Sequence, residues 1–192
     1  MQKLMKRGLR RAVSVLLACL CLAVFAGCTK NKPSQGSKVT HLDSLEQVQA
    51  FIEKIYEEVG ESNMPMMVEH RELDLADADA LEFNTGLRSA EGIRRVVVSE
   101  SAVGSIAYSM LYVCVKDGAD AAKIQAQILE NINPAKWICV SAEQEASMTL
   151  GGDIFFVMGD AETVQEMTKA AKKVAEAEFS SIGAVQEKHV EF

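Results

Sequence analysis

The chain has 192 residues, of which 48% are apolar and 6% aromatic, and a formal charge of −7 at neutral pH. Set aside residues 1–27 and the other 165 carry 15 Lys and Arg against 27 Asp and Glu, a charge of −12. Such a balance argues against nucleic acid or an anionic bilayer face as the main ligand, because both are held by clustered positive charge.

Lys3, Lys6, Arg7, Arg10 and Arg11 make a basic start, followed by the apolar run AVSVLLACLCLAVFAG over residues 12–27. That run is shorter than the roughly 20 apolar residues a membrane span needs, and its length and flanks are those of a secretory signal. It ends in Phe25-Ala26-Gly27-Cys28, which resembles the bacterial lipobox apart from Phe25, where Leu is usual. In a lipobox the small residues precede a Cys that carries diacylglycerol through a thioether. Residues 1–27 are therefore expected to be a lipoprotein signal peptide, with Cys28 the point of lipid attachment. The mature chain would sit on the extracytoplasmic face of the cell membrane. Two or three acyl chains, at about 0.8 kcal/mol per buried methylene, make such attachment stable. Residues 28–42, rich in Lys, Ser, Gly and Pro, read as a flexible tether.

The globular domain is expected over residues 43–179. Leu45, Val48, Ile52, Ile55 and Val59 form one apolar stripe at helical spacing over residues 43–60, with Asp43 and Glu46 as a capping-box-like start and Gly60 as a stop. Met64, Met66, Met67 and Val68 either pack into the domain or form an apolar patch for a partner. Residues 77–83 read as a short helix closed by Asn84-Thr85-Gly86; the acids at 74, 77 and 79 lack the Gly and Glu of a calcium loop and suit a helix start. Strands are expected over residues 94–99 and 105–115, then a helix capped by Asp117 and ended by Asn133-Pro134. Further strands are expected over residues 137–141 and 148–158, with Gly151-Gly152 a bulge or turn. Asp160 caps a last helix bearing Val164, Met167, Ala171 and Val174, and residues 180–192 read as a loose tail.

A shift of 43 residues lays Tyr112-Val113-Cys114-Val115 on Phe155-Phe156-Val157-Met158, Asp117 on Asp160 and Glu100 on Glu143. The reading is a single α/β (α+β) domain with an N-terminal helix and duplicated strand-strand-helix units, over residues 94–132 and 137–176. The units form an antiparallel four-stranded sheet with both repeat helices on one face. Because MLYVCV and IFFVM are apolar on both alternating sets, each strand is expected to be covered on both sides. The earlier helices, or a protein partner, would cover the second face. Cys114 and Cys139 are read as buried thiols or as a disulfide.

Phe83-Asn84-Thr85-Gly86-Leu87, the stretch VVVSESAVGSIAYSMLYVCVKDGADAAKI over residues 96–124, and GGDIFFVMGD over residues 151–160 resemble the DUF4358 family of uncharacterised lipoproteins from Clostridia and related Gram-positive bacteria. The resemblance covers residues 42–177 and implies a lipoprotein leader and a one-domain body, and transfers no mechanism. An acidic residue often opens the family's second strand, where this chain has Tyr108-Ser109.

His41, His70 and His189 lack paired ligand spacing, and no Gly-x-Ser-x-Gly or phosphate-loop motif is present. No catalytic, cofactor or metal residues are assigned. The sequence reads as a membrane-tethered lipoprotein with a noncatalytic protein-binding or envelope-associated body, and Glu100, Glu143, Met66 and Met67 are the contact candidates. The alternatives are a small-ligand-binding lipoprotein, or a hydrolase using Glu100 and Glu143 as acid and base.

Overall fold

A computed structural model of the chain describes residues 38–60 and 64–191. The leader, Cys28 and the first part of the tether lie outside the described residues. Helix α1 (Leu45–Val59) buries Val48, Phe51, Ile52, Ile55, Tyr56 and Val59 on one side. Its cap is Ser44 rather than Asp43: the Ser44 hydroxyl accepts from the Gln47 amide, and the Gln47 side chain accepts from the Ser44 amide in return. Helix α2 (Ala78–Thr85) starts on Asp77 and ends on Gly86 at φ +73°. A Cβ at Gly86 would lie 2.4 Å from the Asn131 backbone, so only glycine fits there.

The strands are β1 (Val68–Glu72), β2 (Ile93–Ser101), β3 (Ser109–Val115), β4 (Gln144–Leu150), β5 (Asp153–Gly159) and β6 (Gln186–His189). Helix α3 (Ala121–Asn131) follows β3, and α4 (Ala161–Glu178) follows β5. All pairings are antiparallel in one six-stranded sheet of order β1-β2-β3-β5-β4-β6. The expected α+β domain with an antiparallel sheet is therefore present, with two strands more than expected.

Both additional strands are edges, and neither carries an apolar pattern: VEHRE in β1 and QEKH in β6 are mostly or fully exposed. Residues 186–189 are thus a strand, paired with β4, rather than part of a loose tail. Residues 137–141 are a loop, with Cys139 at φ +66°, a conformation that does not belong in a strand. The strand lies just beyond, in QEASMTL, where buried Gln144, Glu145 and Ser147 mask the apolar pattern. Residues 148–158 divide into the β4–β5 hairpin at Gly151-Gly152. Helix α3 is capped by Asp120, whose carboxylate accepts from the Lys123 amide, and not by Asp117. Cys114 is buried and Cys139 exposed, and the two form no disulfide.

The order strand, strand, helix does recur, and the 43-residue shift has a counterpart in the sheet: Tyr112 and Phe155, equivalent by that shift, are direct partners across β3 and β5. The helices break the relation. Val164, Met167 and Ala171 of α4 join α1 against Met110, Tyr112, Cys114, Phe155 and Val157. Ile124, Ile128 and Leu129 of α3 join α2 against the opposite face, on Leu111, Val113, Val115, Ile154, Phe156 and Met158. The cause is topological. Helix α3 carries the chain from β3 across β5 to β4, and α4 carries it from β5 across β4 to β6. The two crossovers move the same way across the sheet from strands that run oppositely. Crossovers of one hand must then lie on opposite faces. Both faces are covered within the chain, which accounts for central strands apolar on both sides.

Candidate functional site

The two ends of the sheet differ in character. At one end residues 39–42, expected to belong to the flexible tether, are pinned to the body. Val39 bridges to Phe179, and the Gly152 amide donates to the Thr40 carbonyl at 2.7 Å. Asp153, fully buried at the start of β5, accepts from His41 Nδ1 at 2.8 Å, the Leu42 amide at 2.9 Å, and the Tyr112 hydroxyl and Val115 amide at 3.0 Å. His41 Nε2 lies 3.3 Å from Asp117. This is the end of the sheet at which the described residues begin.

Strands β2 and β5 run away from it, and β3 begins at the other end. Six residue steps of β3 at about 3.4 Å each separate the two ends by roughly 20 Å. At this far end one cross-strand row reads Glu69, Glu100, Ser109, Met158, Glu145, Lys188. Lys136, whose side chain is fully buried, places its ammonium 2.9 Å from Glu100 Oε1 and 3.2 Å from the Ser109 hydroxyl. The Phe83 and Trp137 ring centroids are 5.5 and 5.2 Å from the same nitrogen. Burial holds its pKa below the usual lysine value, the Glu100 carboxylate opposes that shift, and Arg71 adds to it. Arg71 reaches Glu100 Oε2 at 3.2 Å and Asn84 Oδ1 at 2.9 Å.

Glu100 is therefore committed to two cations. Glu143 is exposed and leads into β4. The strands β3 and β5 lie between the strand that carries Glu100 and the one that Glu143 leads into, so the two backbones stand three strand spacings apart, roughly 14 Å at about 4.8 Å each. The repeat-equivalent pair read from the sequence does not sit on neighbouring strands. Further along the row, burial raises the pKa of Glu145 and Lys188 opposes the shift; the two lie 3.3 Å apart.

Met66 and Met67 are 65% and 67% exposed, whereas Met64 and Val68 on either side are partly buried. Of the two readings of this stretch, packing holds for Met64 and Val68 only. Met67 takes φ +50°, unusual for a side chain of its size. It is held there because the Ala102 amide donates to its carbonyl at 2.9 Å and the Ser101 hydroxyl to that of Met66 at 2.8 Å. Phe83, 53% exposed, lies over Lys136, and Ile138, 84% exposed, follows Trp137. The exposed large apolar side chains among the described residues are thus Met66 and Met67 in the segment before β1, and Phe83 and Ile138 beside the Lys136–Trp137 turn.

Sequence reasoning selected Glu100, Met66 and Met67 at this end but missed Lys136 and Trp137, which carry no periodic or motif signal. Comparison with known proteins finds no matching family model, no matching curated protein and no matching solved structure.

Proposed function

We propose that the chain is a lipoprotein, tethered through Cys28 to the extracytoplasmic face of the cell membrane, and that its body is a noncatalytic module that binds another exported protein. The observation that carries this reading is the opposition of the two ends. Residues 39–42 fasten the incoming chain at one end through Asp153, and Met66, Met67, Phe83 and Ile138 present apolar surface at the other. Surface apolar side chains that are gathered rather than scattered mark interaction sites. Glu100, engaged by Lys136 and Arg71, orders the polar side of that end. The resemblance to the DUF4358 lipoproteins belongs to the same proposal.

The test is chemical crosslinking in intact cells with Cys28 retained, followed by mass spectrometry, against a control carrying only the leader and tether. One protein recovered specifically with the full chain is the expected result. Recovery of nothing beyond the control overturns the protein-binding reading, and a Cys28→Ser chain that stays with the membrane fraction overturns lipid attachment.

A further inference from the structure

We infer that the far end receives a basic, apolar-anchored segment of the partner: one or two large apolar side chains flanked by Lys or Arg. This rests on the protein-binding reading above and names the partner's chemistry. On the side of the sheet covered by α1 and α4, a groove of about 270 Å³ runs between the segment before β1, the turn into β3 and the start of α4. Met64, Pro65 and Ile106 supply its apolar wall, Asp160, Glu162 and Glu166 supply the opposite rim, and among the described residues no Lys or Arg lines it. The volume falls just below the roughly 300–1,000 Å³ of sites that enclose a whole small molecule, and suits side chains arriving from a protein. Met66 and Met67 follow Pro65 directly in the same segment and are both exposed. Methionine surfaces adapt their shape to such anchors because the side chain is unbranched and polarizable.

Charge then selects among protein partners. Asp160 accepts from the Thr163 amide at 2.9 Å as the cap of α4. Among the described residues, the cation that pairs with Glu166 is Lys169, at 3.8 Å. A segment with acidic flanks would meet three carboxylates and be repelled, whereas Lys or Arg flanks would be attracted and steered by the −12 charge of the mature chain. The opposite face of this end offers an acidic partner little in exchange. Lys136 is sealed beneath Phe83 and Trp137 and neutralised by Glu100, which also engages Arg71.

The test places a photocrosslinking amino acid at Met66 of the full chain in intact cells, with the same probe at Lys116, just past β3 at the opposite end of the sheet, as the reference. The crosslinked partner peptide is read by mass spectrometry. The measurement is repeated with Asp160→Asn, Glu162→Gln and Glu166→Gln combined, a variant in which Asn preserves the α4 cap and whose thermal unfolding by circular dichroism verifies the fold. The expected result is a crosslink from position 66 into an apolar stretch flanked by Lys or Arg, with a yield at least about fivefold lower in the triple variant, as two or three rim charges of about 0.5 kcal/mol each imply. A crosslinked stretch without basic flanks, or an unchanged yield in the folded triple variant, overturns the inference about chemistry and leaves the protein-binding reading standing. A partner captured equally from positions 66 and 116 overturns the assignment to this groove. Failure of both this probe and the general crosslinking removes both readings together.

Discussion

Replacing Asp153 tests the largest single polar commitment in the domain. Its carboxylate is buried and accepts from the Leu42 and Val115 amides, the Tyr112 hydroxyl and His41. Asp153→Ala leaves those donors without their acceptor. Each buried donor left unsatisfied costs about 1–3 kcal/mol, and with partial relaxation the total should fall near 4–6 kcal/mol. Asp153→Asn keeps one oxygen as an acceptor and turns an amide toward the remaining donors, so about 2–4 kcal/mol is expected. Small domains hold only about 5–15 kcal/mol in all, and the alanine variant should sit close to unfolding. Urea unfolding followed by circular dichroism reads the effect directly. With a slope of about 2 kcal/mol per molar, Asp153→Ala should lower the midpoint by about 2–3 M. Limited proteolysis supplies a second reading, since losing the Leu42 contact should expose residues 38–43 to cleavage while the body remains folded in Asp153→Asn. A loss below about 1 kcal/mol in Asp153→Ala, or unchanged protection of residues 38–43, would refute Asp153 as the clamp.

At the same end, Gly151 has φ +60° and a Cβ there would meet the Thr40 carbonyl oxygen at 2.2 Å. Gly151→Ala should therefore cost about 2–4 kcal/mol in the same unfolding assay, of which the left-handed backbone accounts for about 1–2. Burial raises the pKa of Glu145 above its ordinary value of 4.5. The folded chain thus holds that proton more tightly than the unfolded one, and this contribution to stability is present below pH 4.5 and lost as the pH rises through the folded value. Glu145→Gln cannot ionise, so its stability relative to the parent should improve between pH 4.5 and neutrality; urea unfolding at both pH values would contradict the reasoning if the difference moved the other way. Burial pushes the Cys114 thiol up to about 12, and Cys139 is exposed. A thiol reagent should label Cys139 rapidly in the folded domain and Cys114 only after unfolding, and fast labelling located at Cys114 itself by peptide mass spectrometry would show that this thiol is accessible.

The legible part of the fold was the part written at short range. The stripe of α1, the Asp77 and Asp160 caps, the glycine stops and the two-sided apolar runs of β3 and β5 all act within a few residues, where period and cap chemistry operate. The edge strands were illegible because a strand that meets the sheet on one side only needs no apolar period, and charged residues guard such an edge. At the far end Glu100, Met66 and Met67 stood out by sequence position, whereas Lys136 acquires its meaning only from Glu100, Ser109 and Phe83 arriving from three other segments, beside its neighbour Trp137.

By itself, then, the sequence determined the main helices and central strands that must be buried on both faces. Tertiary structure alone decided which helix covers which face, where residues 39–42 are fastened, and why Glu100 and Glu143 stand apart. The physical reason is range: Asp153 meets His41 and Leu42 across more than a hundred residues, and the direction of two crossovers through the sheet, not any local pattern, sends α3 and α4 to opposite sides.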